Sequence, residues 1–223
     1  MAGSILCRFF GSTIGMKVLM ALTGVVLFGF TIGHMTGNLL VFAGPAKMNG
    51  YAQFLKASPL LLWTARIVLL ASVIVHIYAS IRLTRLKVDA RPVPYGLKQP
   101  HGSTYAGRTM MWSGPIIALF VIYHLMHFTF GNVHPTHPNF NPHAVYENVI
   151  TGFRSWPVSL TYIIAMVALG LHLSHGLWSM LQTVGVNRPQ WEKPLRCGAV
   201  AFAVLVCGGF IAIPLAVLTR MIT

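Results

Sequence analysis

In five places the chain carries about twenty or more mostly apolar residues in a row, long enough to cross roughly 30 Å of hydrocarbon as a helix. These stretches cover about 18–42, 60–83, 109–131, 158–184 and 195–218, and polar segments rich in Lys, Arg, Gly and Pro separate them. The pattern predicts an all-α integral membrane protein, with residues 1–223 forming one membrane domain of five transmembrane helices. Gly44-Pro45 stops the first span, and Pro157 suits the first turn of the fourth. Pro214 bends or ends the fifth. The sequence holds no internal repeat and no low-complexity tract.

The informative positions are the polar ones inside the apolar runs. Six of the ten histidines fall there: His34, His76, His124, His127, His172 and His175. His34 sits in GFTIGHMTGN, where Gly29, Gly33 and Gly37 recur every four residues. Such spacing clears one helix face, so that a neighbouring helix or a flat, bulky group can come close. An ionisable side chain inside a membrane is costly and marks a functional site by default.

Charge sets an orientation. Eleven Lys and Arg residues lie on the side of the N-terminus and five on the other, which predicts a cytoplasmic N-terminus and an external C-terminus. The inner loop 84–108 is the most basic and suits anionic lipid headgroups or a soluble partner. Trp63, Trp112 and Trp156 fall at span starts, where interfacial aromatics belong. The formal charge of +13 does not point to nucleic acid, because the cations sit between apolar runs. Cys7, Cys197 and Cys207 form no CxxC or CxxCH motif and read as buried, inert thiols. The N-terminal stretch does not read as a cleavable signal peptide.

Depth sorts the histidines into layers. His34 follows Lys17 by seventeen residues, about 25 Å at 1.5 Å per residue, and His124 follows Arg108 by sixteen, about 24 Å. His76 precedes Arg82 by six, about 9 Å. Depth pairs His34 with His124 as an outer layer. His172 lies just past the middle of its span, so the inner pair His76/His172 is completed partly by elimination. Each pair joins two helices, as a bundle does when it clamps a cofactor. Two neutral imidazoles per iron predict two low-spin, non-covalent b haems, suited to electron transfer because no coordination position stays open. The irons are then on the order of 15 Å apart along the membrane normal.

The pairs His124/His127 and His172/His175 leave an ambiguity, because residues three apart share a helix face and only one per helix can be the ligand. His127 and His175 are the alternates. In the outer loop, His134, His137 and His143 lie in HPTHPNFNPH, which reads as solvated and not as a metal site, since it lacks a Cys or acid.

Several longer motifs resemble one family. GSTIGMKVLMALTG at 11–24, GHMTGNLLVFAG at 33–44, NGYAQF at 49–54, YHLMHFTFG at 123–131 and GLHLSHGLWSMLQTVGVNRP at 170–189 look like the dihaem cytochrome b membrane subunit of succinate dehydrogenase/fumarate reductase. The resemblance implies five helices, four of them bundled around two stacked haems. His76 and His172 would hold the inner haem, and His34 and His124 the outer one. It favours His172 over His175, from its spacing before Trp178, and His124 over His127.

The resemblance further implies a bacterial cytoplasmic membrane and an enzyme complex of the tricarboxylic acid cycle. This chain would be its quinone-reactive subunit, partnered by a flavoprotein and an iron–sulfur subunit and without a succinate site of its own. The quinone, menaquinone or ubiquinone, would meet Asn38, Asn49, Tyr51, Gln53 and His127 at an outer site, or Ser12, Lys17 and Arg82 at an inner one. Lys17 and Arg82 also suit haem propionates. One departure is Gly170, where some dihaem members carry a glutamate; no Asp or Glu lies inside any span. Readings left open are the dihaem anchor of another dehydrogenase or hydrogenase, a transporter using membrane histidines, and a structural anchor. The transporter reading predicts inverted repeats.

Overall fold

The computed structural model describes residues 5–90, 104–186 and 188–223, with side chains from residue 8 onward. His101, Arg91, Lys98 and the side chain of Cys7 lie outside the described residues. Among the described residues the regular structure is entirely helical. Five long helices carry the predicted spans: α2 (Thr13–Asn38), α4 (Pro59–Asp89), α5 (Tyr105–His124), α7 (Trp156–Thr183) and α8 (Glu192–Leu218). Three shorter helices join them: α1 (Ile5–Gly11), α3 (Pro45–Lys56) and α6 (Val145–Arg154).

Local chemistry sets the boundaries. Ser12 caps α2, accepting from the Gly15 N–H at 3.0 Å while donating to the Phe9 carbonyl at 2.6 Å. A Cβ on Gly15 would run into that carbonyl, so only glycine lets α1 turn back this closely. Past α2 the chain tightens into a 3-10 turn, Leu39–Ala43, and stops at Gly44 with φ 89°. Pro45 then opens α3. Pro157 lies in the first turn of α7, as expected. Pro214 does not end α8, which continues to Leu218.

α3 and α6 are elements that the apolar runs do not announce. They pack on each other and close the ends of the neighbouring spans. Asn49 of α3 joins them: its Oδ1 accepts from the Tyr146 N–H at 2.9 Å, and its Nδ2 donates to Glu147 at 3.1 Å. α6 buries Val149, Ile150 and Phe153 beside Val41, Met48, Tyr162, Ile213 and Val217. Burying each such large side chain contributes about 1.5–3 kcal/mol. A second core, Ala165, Met166, Leu173, Ala203, Val206 and Cys207, joins α7 to α8. The many exposed Leu, Ile, Val and Phe side chains of the spans form the surface expected to face lipid. Cys207 is buried as expected, whereas Cys197 is exposed at the start of α8.

The spans pack as two hairpin-like pairs. α2 lies along α4, and α5 lies along α7, with α8 packed on α7. α2 forms no extended interface with α5, nor α4 with α7. What meets across those two gaps is histidine.

Candidate functional site

His34 of α2 faces His124 of α5, with ring centroids 5.7 Å apart and planes at 86°. His76 of α4 faces His172 of α7 at 6.3 Å and 54°. With metal–nitrogen bonds of about 2.0 Å, two imidazoles sharing one metal hold their centroids about 6 Å apart. Both pairs match that separation, and each bridges helices whose backbones stay apart.

The donor set narrows the kind of group. Among the described residues no three His, Cys, Asp or Glu side chains gather as a metal cage. Bare zinc takes three or four protein ligands. Two facing imidazoles fit a metal that brings its own equatorial donors, as haem iron does.

The second nitrogen of each ring supports the same use. The Thr23 hydroxyl spends its proton on the Leu19 carbonyl at 2.8 Å, so its oxygen accepts from His76 Nδ1 at 3.1 Å. The Met20 carbonyl lies beside the same groups, 3.2 Å from the Thr23 hydroxyl, and a proton on Nδ1 would leave Nε2 as the donor atom for a metal. Buried Ser113 stands 3.4 Å from His172 Nδ1 and donates to the Met110 carbonyl. Tyr162 lies 3.3 Å from His124 Nδ1. His34 differs. The Asn38 amide donates to the His34 carbonyl at 2.7 Å and lies 3.4 Å from both ring nitrogens, while Phe30 stacks on the ring at 5.2 Å.

The alternates stand elsewhere. His127 lies in a π turn, Leu125–Thr129, directly after His124, and it is wholly buried against Tyr123, Tyr162 and His134. His175 lies one turn beyond His172, against Gly107 of α5, with its Nδ1 buried and without a hydrogen bond. Neither ring faces His34 or His76.

The glycine stripe divides. No atom lies within 4 Å of a Cβ added to Gly29 or Gly33, whereas one on Gly37 would come 2.6 Å from the Tyr51 ring. Of the quinone candidates, Asn38 and Tyr51 therefore sit on adjoining turns, and Gln53 is exposed on α3. No hydrogen bond or ring contact joins His127 to them. Asn49 and Ser12 are occupied as clamp and cap. Lys17 and Arg82 make no ion pair among the described residues. Gly170 lies against Cys207 of α8, close enough that a Cβ would meet its Sγ at 3.4 Å.

Among the loop histidines one expectation is corrected. His134 is not solvated: it is 3% exposed, because its Nε2–H donates to the Asn148 carbonyl at 2.9 Å under α6. His137 and His143 are exposed as expected. The sequence reading passed over Thr23, Ser113 and Tyr162. Depth was the available signal, since Thr23 follows Lys17 by six residues, about 9 Å, the same depth that six residues from Arg82 give His76. Compared with known proteins, the chain matches no family model, no curated protein and no solved structure.

Proposed function

We propose that this chain is the dihaem cytochrome b subunit of a succinate dehydrogenase/fumarate reductase complex in a bacterial cytoplasmic membrane, with its N-terminus inside. The observation that carries the reading is the meeting of histidines in twos, His76 with His172 and His34 with His124, across gaps that the helices do not otherwise close. The motif resemblance at 11–54, 123–131 and 170–189 supplies the family. His76 and His172 hold the inner haem, and His34 and His124 the outer one. Haem iron supplies a one-electron carrier at each position.

The protein's own part is to hold, orient and keep dry. Thr23 and Ser113 stand at the Nδ1 atoms of the inner ligands and would take up their protons, which would leave Nε2 to the metal. The apolar spans exclude water, and Lys17 and Arg82 place positive charge at the inner end for propionates. Electrons pass between an iron–sulfur subunit on the cytoplasmic side and a membrane quinone, with a flavoprotein performing the succinate chemistry. The exposed Tyr51, whose ring lies over Gly37 next to Asn38 in the chain, favours an outer quinone site, with Gln53 exposed on the same helix. A carboxylate relay through the spans has no support, because Gly170 packs on Cys207 and the acids of the span helices, Asp89 and Glu192, stand at helix ends.

The test is to purify the chain together with the flavoprotein and iron–sulfur subunits made by the same cells, and to add succinate without oxygen. Reduction of the b-haem absorption bands, reversed by added quinone, is the expected result. Two haems that succinate leaves oxidised, while a quinol analogue reduces them, would move the chain to the anchor of another quinone-linked dehydrogenase or hydrogenase.

A further inference from the structure

Tyr162 stands between two histidines. Its hydroxyl is 3.3 Å from Nδ1 of His124 and 2.9 Å from Nδ1 of His127. It is 7% exposed and His127 is 0% exposed, while His124 is half-buried. His127 is gripped in turn: its ring lies parallel to Tyr123 at 5.7 Å and 11°, and to His134 at 4.9 Å and 23°.

His134 is fixed from the outer loop. Its Nδ1 accepts from the Thr136 backbone N–H at 3.2 Å, so Nε2 carries the proton and donates to the Asn148 carbonyl. The π turn that starts after His124 carries His127 towards Gly152 of α6, where a Cβ would come 3.0 Å from the His127 ring. π turns recur at functional positions. The result is a continuous strut, His134–His127–Tyr162, from the outer loop to one of the four facing histidines. Among the described residues the inner pair meets instead the short hydroxyls of Thr23 and Ser113.

We infer that Tyr162 is the positioning residue of the outer ligand His124, held in place by His127 and by His134 of the outer loop; this rests on the dihaem reading above. A histidine that binds iron through Nε2 bears its proton on Nδ1. Here that proton is donated to the Tyr162 oxygen, which makes the imidazole a stronger donor and favours oxidised iron. The loop 132–144 thereby acts on the potential of the outer centre alone.

The experiment is a potentiometric titration of the haem-loaded chain, following both b haems, with the outer one identified by its loss in His34→Ala. Tyr162→Phe removes the hydroxyl and keeps the ring. The expected result is a higher midpoint potential for the outer haem, a changed low-spin resonance from it, and an unmoved inner haem. An unchanged outer potential, or equal movement of both, overturns the inference. Should Tyr162→Phe fail to accumulate, His134→Leu takes its place at the far end of the strut: a rise confined to the outer haem supports the inference, and no rise overturns it. Absence of haem from the unaltered chain is seen before any variant is made, and removes the dihaem reading and this inference together.

Discussion

His34 and His124 face each other with ring planes 86° apart, nearly perpendicular, whereas His76 and His172 meet at 54°. Ring orientation matters because each imidazole lifts the degeneracy of the iron dπ orbitals along its own plane. Perpendicular rings cancel that effect, and rings nearer parallel reinforce it. The outer centre is therefore expected to give the more anisotropic low-spin resonance. Low-temperature electron paramagnetic resonance of the oxidised chain checks this, and His34→Ala should remove the more anisotropic signal first. Loss of the less anisotropic one instead contradicts the pairing.

Removal of any one facing histidine should cost one haem. His34→Ala and His124→Ala are expected to leave the inner centre, and His76→Ala and His172→Ala the outer. His127→Ala and His175→Ala should keep two haems, because His127 stacks on His134 and His175 lies against Gly107, and neither ring faces His34 or His76. Haem per polypeptide in the six purified variants is the measurement. Two haems retained in His124→Ala but one in His127→Ala would reverse the outer assignment.

Thr23→Val removes the hydroxyl partner of His76 Nδ1 while keeping the shape of the side chain. The lost hydrogen bond is worth about 1 kcal/mol. The inner haem is expected to shift to higher potential, since its ligand becomes a weaker donor, with the outer haem unmoved. A redox titration reads both in one sample.

The outer end depends on two small contacts. Gly37→Leu drives a side chain into Tyr51 and should lift α3 from α2, at about 1–3 kcal/mol for overpacking. Asn49→Ala breaks both bonds from α3 to the start of α6, leaving the Tyr146 N–H without its partner, at about 1–3 kcal/mol. Thermal melts followed at the haem band should show both variants lowering the midpoint, with the outer haem released first.

Much of this arrangement is written in simple spacing. The five spans follow from apolar length alone, and the pairing of His34 with His124 from counting residues to Lys17 and Arg108. The meeting of His76 and His172, which depth left weak, depends on how the helix pairs face each other, which no count supplies. α3 and α6 escaped because they are short and amphipathic, and their apolar faces are too brief to stand out between spans. His134 escaped for a related reason: its burial under α6 is created by a helix that the loop reading did not contain. Thr23 and Tyr162 look like ordinary span residues until a histidine is placed opposite them. The Asn49 side chain, a candidate ligand contact by its polarity, is taken up by the Tyr146 N–H and by Glu147, a use that its sequence position does not show.

The most direct test of the central claim is the haem content of the purified, folded chain made with haem available, by pyridine haemochrome quantitation beside a reduced-minus-oxidised spectrum. The account predicts two b haems per polypeptide. A colourless chain contradicts it and returns the four facing histidines to packing or transport.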